Sequence, residues 1–138
     1  MAEITLKGRK IPLVYMTYEM KLVQEEVAPL GDVNAVLFGK NVEDENDTSQ
    51  FGAPRQLEAI GKMIRIMGNA GLEDAGEKPD LTDRWVLRAL KPTQIVEAIT
   101  ACVQAMNEGM ESEIKPENSN EPVDVTLEAI NKKKEPDS

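Results

Sequence analysis

The residues best suited to chemistry are the carboxylates of an acidic segment at residues 43–47, Glu-Asp-Glu-Asn-Asp. Clustered carboxylates could bind calcium, which prefers several oxygen ligands. An EF-hand loop starting at Asp44 would put Ser49 where glycine is needed and Arg55 where a bidentate Glu belongs. The calcium motif therefore fails, and we interpret residues 39–52 as a solvated acidic loop.

Other catalytic groups are scarce. The chain has no histidine and one cysteine, Cys102, which excludes catalysis by histidine and an intrachain disulfide. Cys102 lies in the apolar stripe of a predicted helix, which is typical of a buried structural thiol. Gly61-Lys62 is followed by Met63 instead of Ser or Thr, so it does not form a phosphate-binding loop. We therefore expect no enzyme activity, no metal and no cofactor.

The charge of the chain narrows the class of partner. The net charge is −9 and the isoelectric point is about 4.6. Nucleic acids and anionic membranes both attract cationic surfaces, so we expect neither as a partner. The N-terminal sequence MAEITLKGRK lacks the apolar core of a signal peptide. We expect a cytoplasmic protein that binds another protein.

The composition favours packed helices. Aromatic residues make up only 4% of the 138 residues, so a core must be built from aliphatic side chains and Met. We predict a mainly α (α+β) fold with four or so packed helices and a small N-terminal β-hairpin. Residues 1–110 should form a single domain, and residues 111–138 a flexible, disordered acidic tail.

The hairpin and the first helices follow from local patterns. Apolar residues alternate through residues 4–15 on both sides of Gly8, which predicts a hairpin. Thr17 can cap a helix that runs to Val27, and residues 32–38 can form a short helix. Pro54 suits the first position of the next helix, whose apolar stripe predicts a core of Leu57, Ile60 and Ile64.

That second long helix should end at Gly68 or Gly71. Thr82 or Asp80 can cap the next helix, in which Trp85 faces the core. Pro92 interrupts it. Thr93 then begins a last helix that ends at Gly109 and contributes Ile99 and Val103 to the core.

Methionines offer the first candidates for partner contact. The chain has seven, and flexible thioethers suit surfaces that receive varied apolar helices. Met67 and Met106 fall inside predicted apolar stripes and should be core residues. Met63 and Met110 fall near the edges of the stripes, so we predict that they contact a partner.

Two segments of the chain carry a family resemblance. They are the opening ITLKGRKIPLVYMTYEMKLVQEE and residues 91–110, KPTQIVEAITACVQAMNEGM, followed by a polar tail. This layout resembles the tail assembly chaperones of long-tailed bacteriophages and prophages, over about a third of the chain. The resemblance implies a non-catalytic protein that binds the tape measure protein and assists tail tube assembly in the bacterial host cytoplasm. We also expect a homo-oligomer.

The same family implies a longer form made by a programmed ribosomal frameshift near the end of the reading frame. The codons of Lys132, Lys133 and Lys134 can be written as A-AAA-AAA or A-AAA-AAG, on which both tRNAs can re-pair after slipping back one base. Lys133 and Lys134 mark the possible frameshift position. The alternative interpretation is a plain basic patch on a solvated tail.

Two other functions fit the sequence in part. Another phage or mobile-element structural protein, such as a connector or neck component, would share the size and the interaction role. A small transcriptional regulator could use the helices on either side of Pro92. Residues 92–110 contain no Lys or Arg, however, which suits contact with phosphates badly.

Overall fold

The computed structural model describes residues 1–41, 43–44 and 46–111. In these residues the strands are β1 (Glu3–Leu6) and β2 (Arg9–Pro12), and the α-helices are α1 (Thr17–Glu26), α2 (Val33–Leu37), α3 (Pro54–Asp74), α4 (Asp83–Ala89) and α5 (Ile95–Met110). Short 3-10 turns at Leu30–Asp32 and Pro92–Gln94 precede α2 and α5. The prediction of a mainly helical fold with an N-terminal hairpin is confirmed.

A tight two-residue turn joins the two strands of the hairpin. Lys7 and Gly8 form a two-residue turn in which both have positive φ, 52° and 77°, the geometry that matches the twist of antiparallel strands. The residues after Gly8 already belong to β2, and Ile4 pairs with Ile11. The inner face of the hairpin packs on α3 and α5.

A glutamate, not the predicted threonine, supports the start of α1. The helix begins at Thr17 with Met16 as its N-cap residue. The Glu19 carboxylate reaches back and accepts a hydrogen bond from the backbone N–H of Met16 at 3.0 Å. This is the reach-back half of a capping box, so the assignment of Thr17 as the cap is wrong.

Helix α3 lies at the centre of the fold and contacts every other α-helix and β2. Because other elements pack around α3, the buried part of its surface is wider than the apolar stripe in its sequence. Met63 illustrates the consequence: its side chain is 0% exposed, although it lies at the edge of the stripe. Contact between Met63 and a partner therefore does not fit this structure. The helix also continues through Gly68 and Gly71, where it was predicted to end.

The last two helices begin close to the predicted places. The Thr82 side chain accepts a hydrogen bond from the backbone N–H of Trp85 at 3.0 Å, as its assignment as an N-cap predicts. Helix α5 begins at Ile95 rather than Thr93, because the 3-10 turn intervenes. It runs past Gly109 to Met110.

The predicted core residues divide into two groups. Ile60, Ile64 and Ile99 are buried. Leu57, Trp85 and Val103 are only half-buried, which corrects their placement in the deep core. Leu57 lies in the first turn of α3. Trp85 lies in the first turn of α4, where its ring faces the guanidinium of Arg9 at 5.9 Å.

A partly buried ion cluster joins three helices. Arg65 of α3 binds both Asp83 of α4 and Glu26 of α1. Lys62 also binds Asp83, with Nζ 3.0 Å from the carboxylate. Partial burial tends to raise the pKa of Asp83, but hydrogen bonds from Arg65 and Lys62 outweigh it and lower the pKa. The charged form of Asp83 therefore stabilises the packing of α3 against α4.

Candidate functional site

An open groove lies between the C-terminal end of α5 and the segment that contains the first 3-10 turn and α2. Its volume is about 370 Å³. Its apolar lining consists of Tyr15, Leu30, Val33, Val103, Met106 and Met110. Asn34, Asn107 and Glu111 add polar groups to the lining. A solvent-open groove with such a lining can bind an apolar side-chain face but offers few groups for catalysis.

One wall of the groove is the outer edge of the apolar stripe of α5. Val103, Met106 and Met110 follow one another at helical spacing and line the groove. The rest of the stripe, near Ile99 and Cys102, is buried under α3 and the hairpin. Val103 and Met106, which the sequence assigns to the core, thus form part of an open surface.

Two backbones approach each other closely beside the groove, at Gly109 and Tyr15. A Cβ on Gly109 would lie 3.0 Å from the Tyr15 carbonyl carbon and closer still to its oxygen. Glycine at this position therefore allows α5 to reach the chain that leaves β2. The neighbouring Glu108 carboxylate accepts a hydrogen bond from the backbone N–H of Ala2 at 3.0 Å, and this bond lowers the pKa of Glu108. Both contacts hold the end of α5 against the N-terminal segment.

The opposite wall comes from the 3-10 turn and α2. Val33 is buried, with 2% of its surface exposed, and anchors α2 to the core. Leu30 is 46% exposed and forms the rim. Met110 is 43% exposed on the facing rim. Two large apolar side chains thus meet solvent on opposite sides of one groove, an arrangement that is typical of an interaction surface.

Other exposed apolar side chains are differently placed. Phe38 and Phe51 are 42% and 51% exposed and flank Gly39, where the backbone of Phe51 closes on the end of α2. Val96 is 65% exposed in the first turn of α5 and does not line the groove between α5 and α2. Exposed apolar residues, alone or in such small groups, are common on protein surfaces.

A second, more polar hollow of about 340 Å³ lies beside residues 39–53. Gln56 faces it but is 1% exposed and satisfied at both ends. Its Oε1 accepts from the N–H of Gly52 at 2.6 Å, and its Nε2 donates to the Leu37 carbonyl at 2.8 Å. Gln56 therefore attaches the acidic loop to α3, and its polar groups are not left over for a ligand.

The acidic loop uses its side chains to form local turns. Asp44 and Asp47 accept hydrogen bonds from the backbone N–H groups of Asn46 and Ser49, each at 3.0 Å. Hydrogen bonds from Ser49 lower the pKa of Asp47. Residues 1–41, 43–44 and 46–111 contain no group of three His, Cys, Asp or Glu residues placed to hold a metal ion.

Cys102 is a buried structural residue. It is 0% exposed in the core, and burial raises the pKa of its thiol to about 12. A thiol with such a pKa is almost entirely protonated at neutral pH, whereas nucleophilic chemistry needs the thiolate.

No family model, curated protein or solved structure matches this chain. Within the part of the chain that the structure describes, no helix combines the length and the hydropathy that crossing a bilayer requires.

Of the two methionines predicted to contact a partner, the structure leaves only Met110 accessible. Met110 lies on the rim of the groove, whereas Met63 is buried in α3. Sequence analysis missed Leu30 and Tyr15, which complete the groove. Leu30 lies between Pro29 and Gly31, where an isolated apolar residue has no periodic pattern to mark it.

The frameshift position, Lys133 and Lys134, and most of the predicted tail lie outside the described residues.

Proposed function

We propose that this protein is a non-catalytic phage tail assembly chaperone whose groove binds an apolar helix of the tape measure protein. The observation that carries the proposal is the groove between α5 and α2, with Met110 and Leu30 on its rims. The sequence resemblance described above supports the identity of the partner. The tail tube protein is a second partner that the resemblance implies.

The lining of the groove suits a helix better than a small molecule. Amphipathic helices bind grooves through a few apolar anchors spaced one turn apart. Met106 and Met110 can adjust their conformations to different anchors, because a thioether side chain is unbranched and flexible. A partner that presents many similar apolar faces along a long helix would be accepted at many registers.

The acidic surface complements this role. A chain with a net charge of −9 remains soluble when it covers an apolar partner, because like charges keep the complexes apart. The contact itself is apolar, since most of the side chains that line the groove are apolar: Tyr15, Leu30, Val33, Val103, Met106 and Met110. Binding should therefore persist at high salt, which screens exposed ion pairs but leaves apolar burial intact.

A matched pair of variants tests the proposal. Met110→Asp places a charge on the rim of the groove, and Val96→Asp places the same charge on an exposed residue of the same helix outside the groove. Each protein is co-expressed with a tagged helical tape measure segment, and the soluble complex is measured after a high-salt wash. Wild type and Val96→Asp should keep the segment soluble, and Met110→Asp should not.

Two outcomes contradict the proposal. Equal capture by Met110→Asp and wild type would remove the groove from the binding surface. Assembly of the wild-type protein into rings with no capture of the segment would favour the connector function instead.

A further inference from the structure

The sequence after α5 contains one apolar segment, residues 123–130, VDVTLEAI. Val123, Leu127 and Ile130 have the i, i+4, i+7 spacing of one helix face, and Val125 would lie on the opposite face. Pro122 suits the first position of such a helix. The segment thus has the same pattern of anchors that a groove-binding partner helix would present.

The position of the groove favours this segment as its occupant. Glu111, the last described residue, lines the groove, so the remaining chain starts at the site itself. Residues 112–122 link the groove to the apolar segment, and an extended chain covers roughly 3.3–3.6 Å per residue. This connection is long enough for the segment to return. A short tether also gives an effective concentration on the order of millimolar.

The segment itself carries Asp124 and Glu128, but three lysines directly after it complement the negative groups at the groove. The last turn of α5 contains no basic residue, so its terminal carbonyl groups leave a partial negative charge. Glu111 lies in the groove, and Asp32 lies between Leu30 and Val33 of its opposite wall. The lysines at 132–134 directly follow the apolar segment and would lie close to these negative groups.

We infer that, in the absence of a partner, the groove holds the protein's own residues 123–130, docked through Val123, Leu127 and Ile130. A partner helix must displace this segment before it can bind. The displacement rests on the proposed function, whereas the occupancy of the groove by the segment does not.

Methionine methyl signals in the NMR spectrum of the full-length protein test the occupancy. Leu127→Asp removes a central anchor, and Val125→Asp places the same charge on the opposite face. Leu127→Asp should shift the signals of Met106 and Met110, which line the groove, whereas Val125→Asp should not. The buried Met63 and Met67 report on the folded core and should be unchanged in both variants.

Three results would overturn the inference. The first is that Leu127→Asp leaves the methyl signals of Met106 and Met110 unshifted. The second is an equal shift with Val125→Asp, which would mean that the helical face is not what binds. The third is a difference between wild type and Leu127→Asp that disappears on dilution, which would mean that the segment comes from a second copy of the chain.

Binding of the tape measure segment separates this inference from the proposed function. If the protein's own segment fills the groove nine-tenths of the time, Leu127→Asp should tighten partner binding about tenfold. Shifted Met106 and Met110 signals without any partner binding would support the inference and contradict the proposed function. Partner binding that depends on Met110 but not on Leu127, with unshifted signals, would contradict the inference and support the proposed function.

Discussion

Gly71→Ala should destabilise the fold, although alanine favours helices over glycine. Gly71 lies near the end of α3, where β2 crosses the helix. A Cβ at this position would lie 2.5 Å from the carbonyl carbon of Pro12 and closer still to the oxygen, whereas ordinary contact begins at 3.4 Å. For the carbonyl carbon the shortfall is about 0.9 Å, and for the oxygen it is larger. Both partners are backbone, so neither can rotate away.

The size of the effect follows from two opposing contributions. Overpacking in a close contact costs about 1–3 kcal/mol, and more where backbone must move. Replacing glycine by alanine inside a helix returns about 1 kcal/mol. Both clashing atoms of Pro12 belong to the backbone, so the upper part of that range, about 2–3 kcal/mol, applies, and we expect a net loss of about 1–2 kcal/mol in the free energy of unfolding. For a folded part of this size, that loss lowers the melting temperature by roughly 5–10 °C.

Thermal and urea unfolding, followed by circular dichroism, measure this loss. Gly31→Ala is the matched control, because Gly31 is exposed in a 3-10 turn and a Cβ there would meet nothing within 4 Å. It should leave stability unchanged or raise it by about 0.4–1 kcal/mol. If Gly71→Ala melts at or above the wild-type temperature, the reasoning from the close approach of β2 to α3 is refuted.

Three further predictions concern stability and expression. Trp85→Ala should cost about 1–3 kcal/mol, less than the ~3–5 kcal/mol of a fully buried aromatic residue, and unchanged urea unfolding would point to a partner-binding role. Asp83 has a lowered pKa, so its stabilising effect is present above the unfolded pKa and lost as pH falls below about 4. The stability gap between wild type and Asp83→Asn should therefore shrink over that range, and a constant gap would contradict the assignment. A minor longer product from an N-terminally tagged gene should disappear when Lys133 is recoded to AAG, and a product that persists would exclude the frameshift.

The sequence predicts most elements because their signals are local. Pro54 begins α3, and the Thr82 side chain caps α4, since both effects act within one helical turn. The cap of α1 was misassigned for a related reason. Thr17 has the expected hydroxyl, but Glu19 three residues after Met16 supplies the bond instead. Thr17 and Glu19 could each provide a side chain that stabilises the start of α1, and the sequence pattern does not show which of them does so.

The roles of Gly71 and Gly109 could not be predicted in the same way. Glycine near the end of an apolar stripe is typical of a helix C-terminus. In the structure both helices continue through these residues, which instead allow another backbone to approach. The deciding contacts are with Pro12 and Tyr15, far away in the sequence. A single sequence contains no signal that separates the two uses of glycine.

The groove arises because the apolar stripe of α5 extends beyond the elements that cover it. Small residues, Ala98, Ala101 and Ala105, face the core where α3 and β1 pack closely on the helix. Larger side chains follow along the outer edge, at Val103, Met106 and Met110, and they line open space. Periodicity identifies the whole stripe as apolar but does not show where the cover stops. A core residue and a binding residue therefore look alike in the sequence. The distinction depends on which parts of α5 are covered by the 3-10 turn before α2 and by the chain that leaves β2.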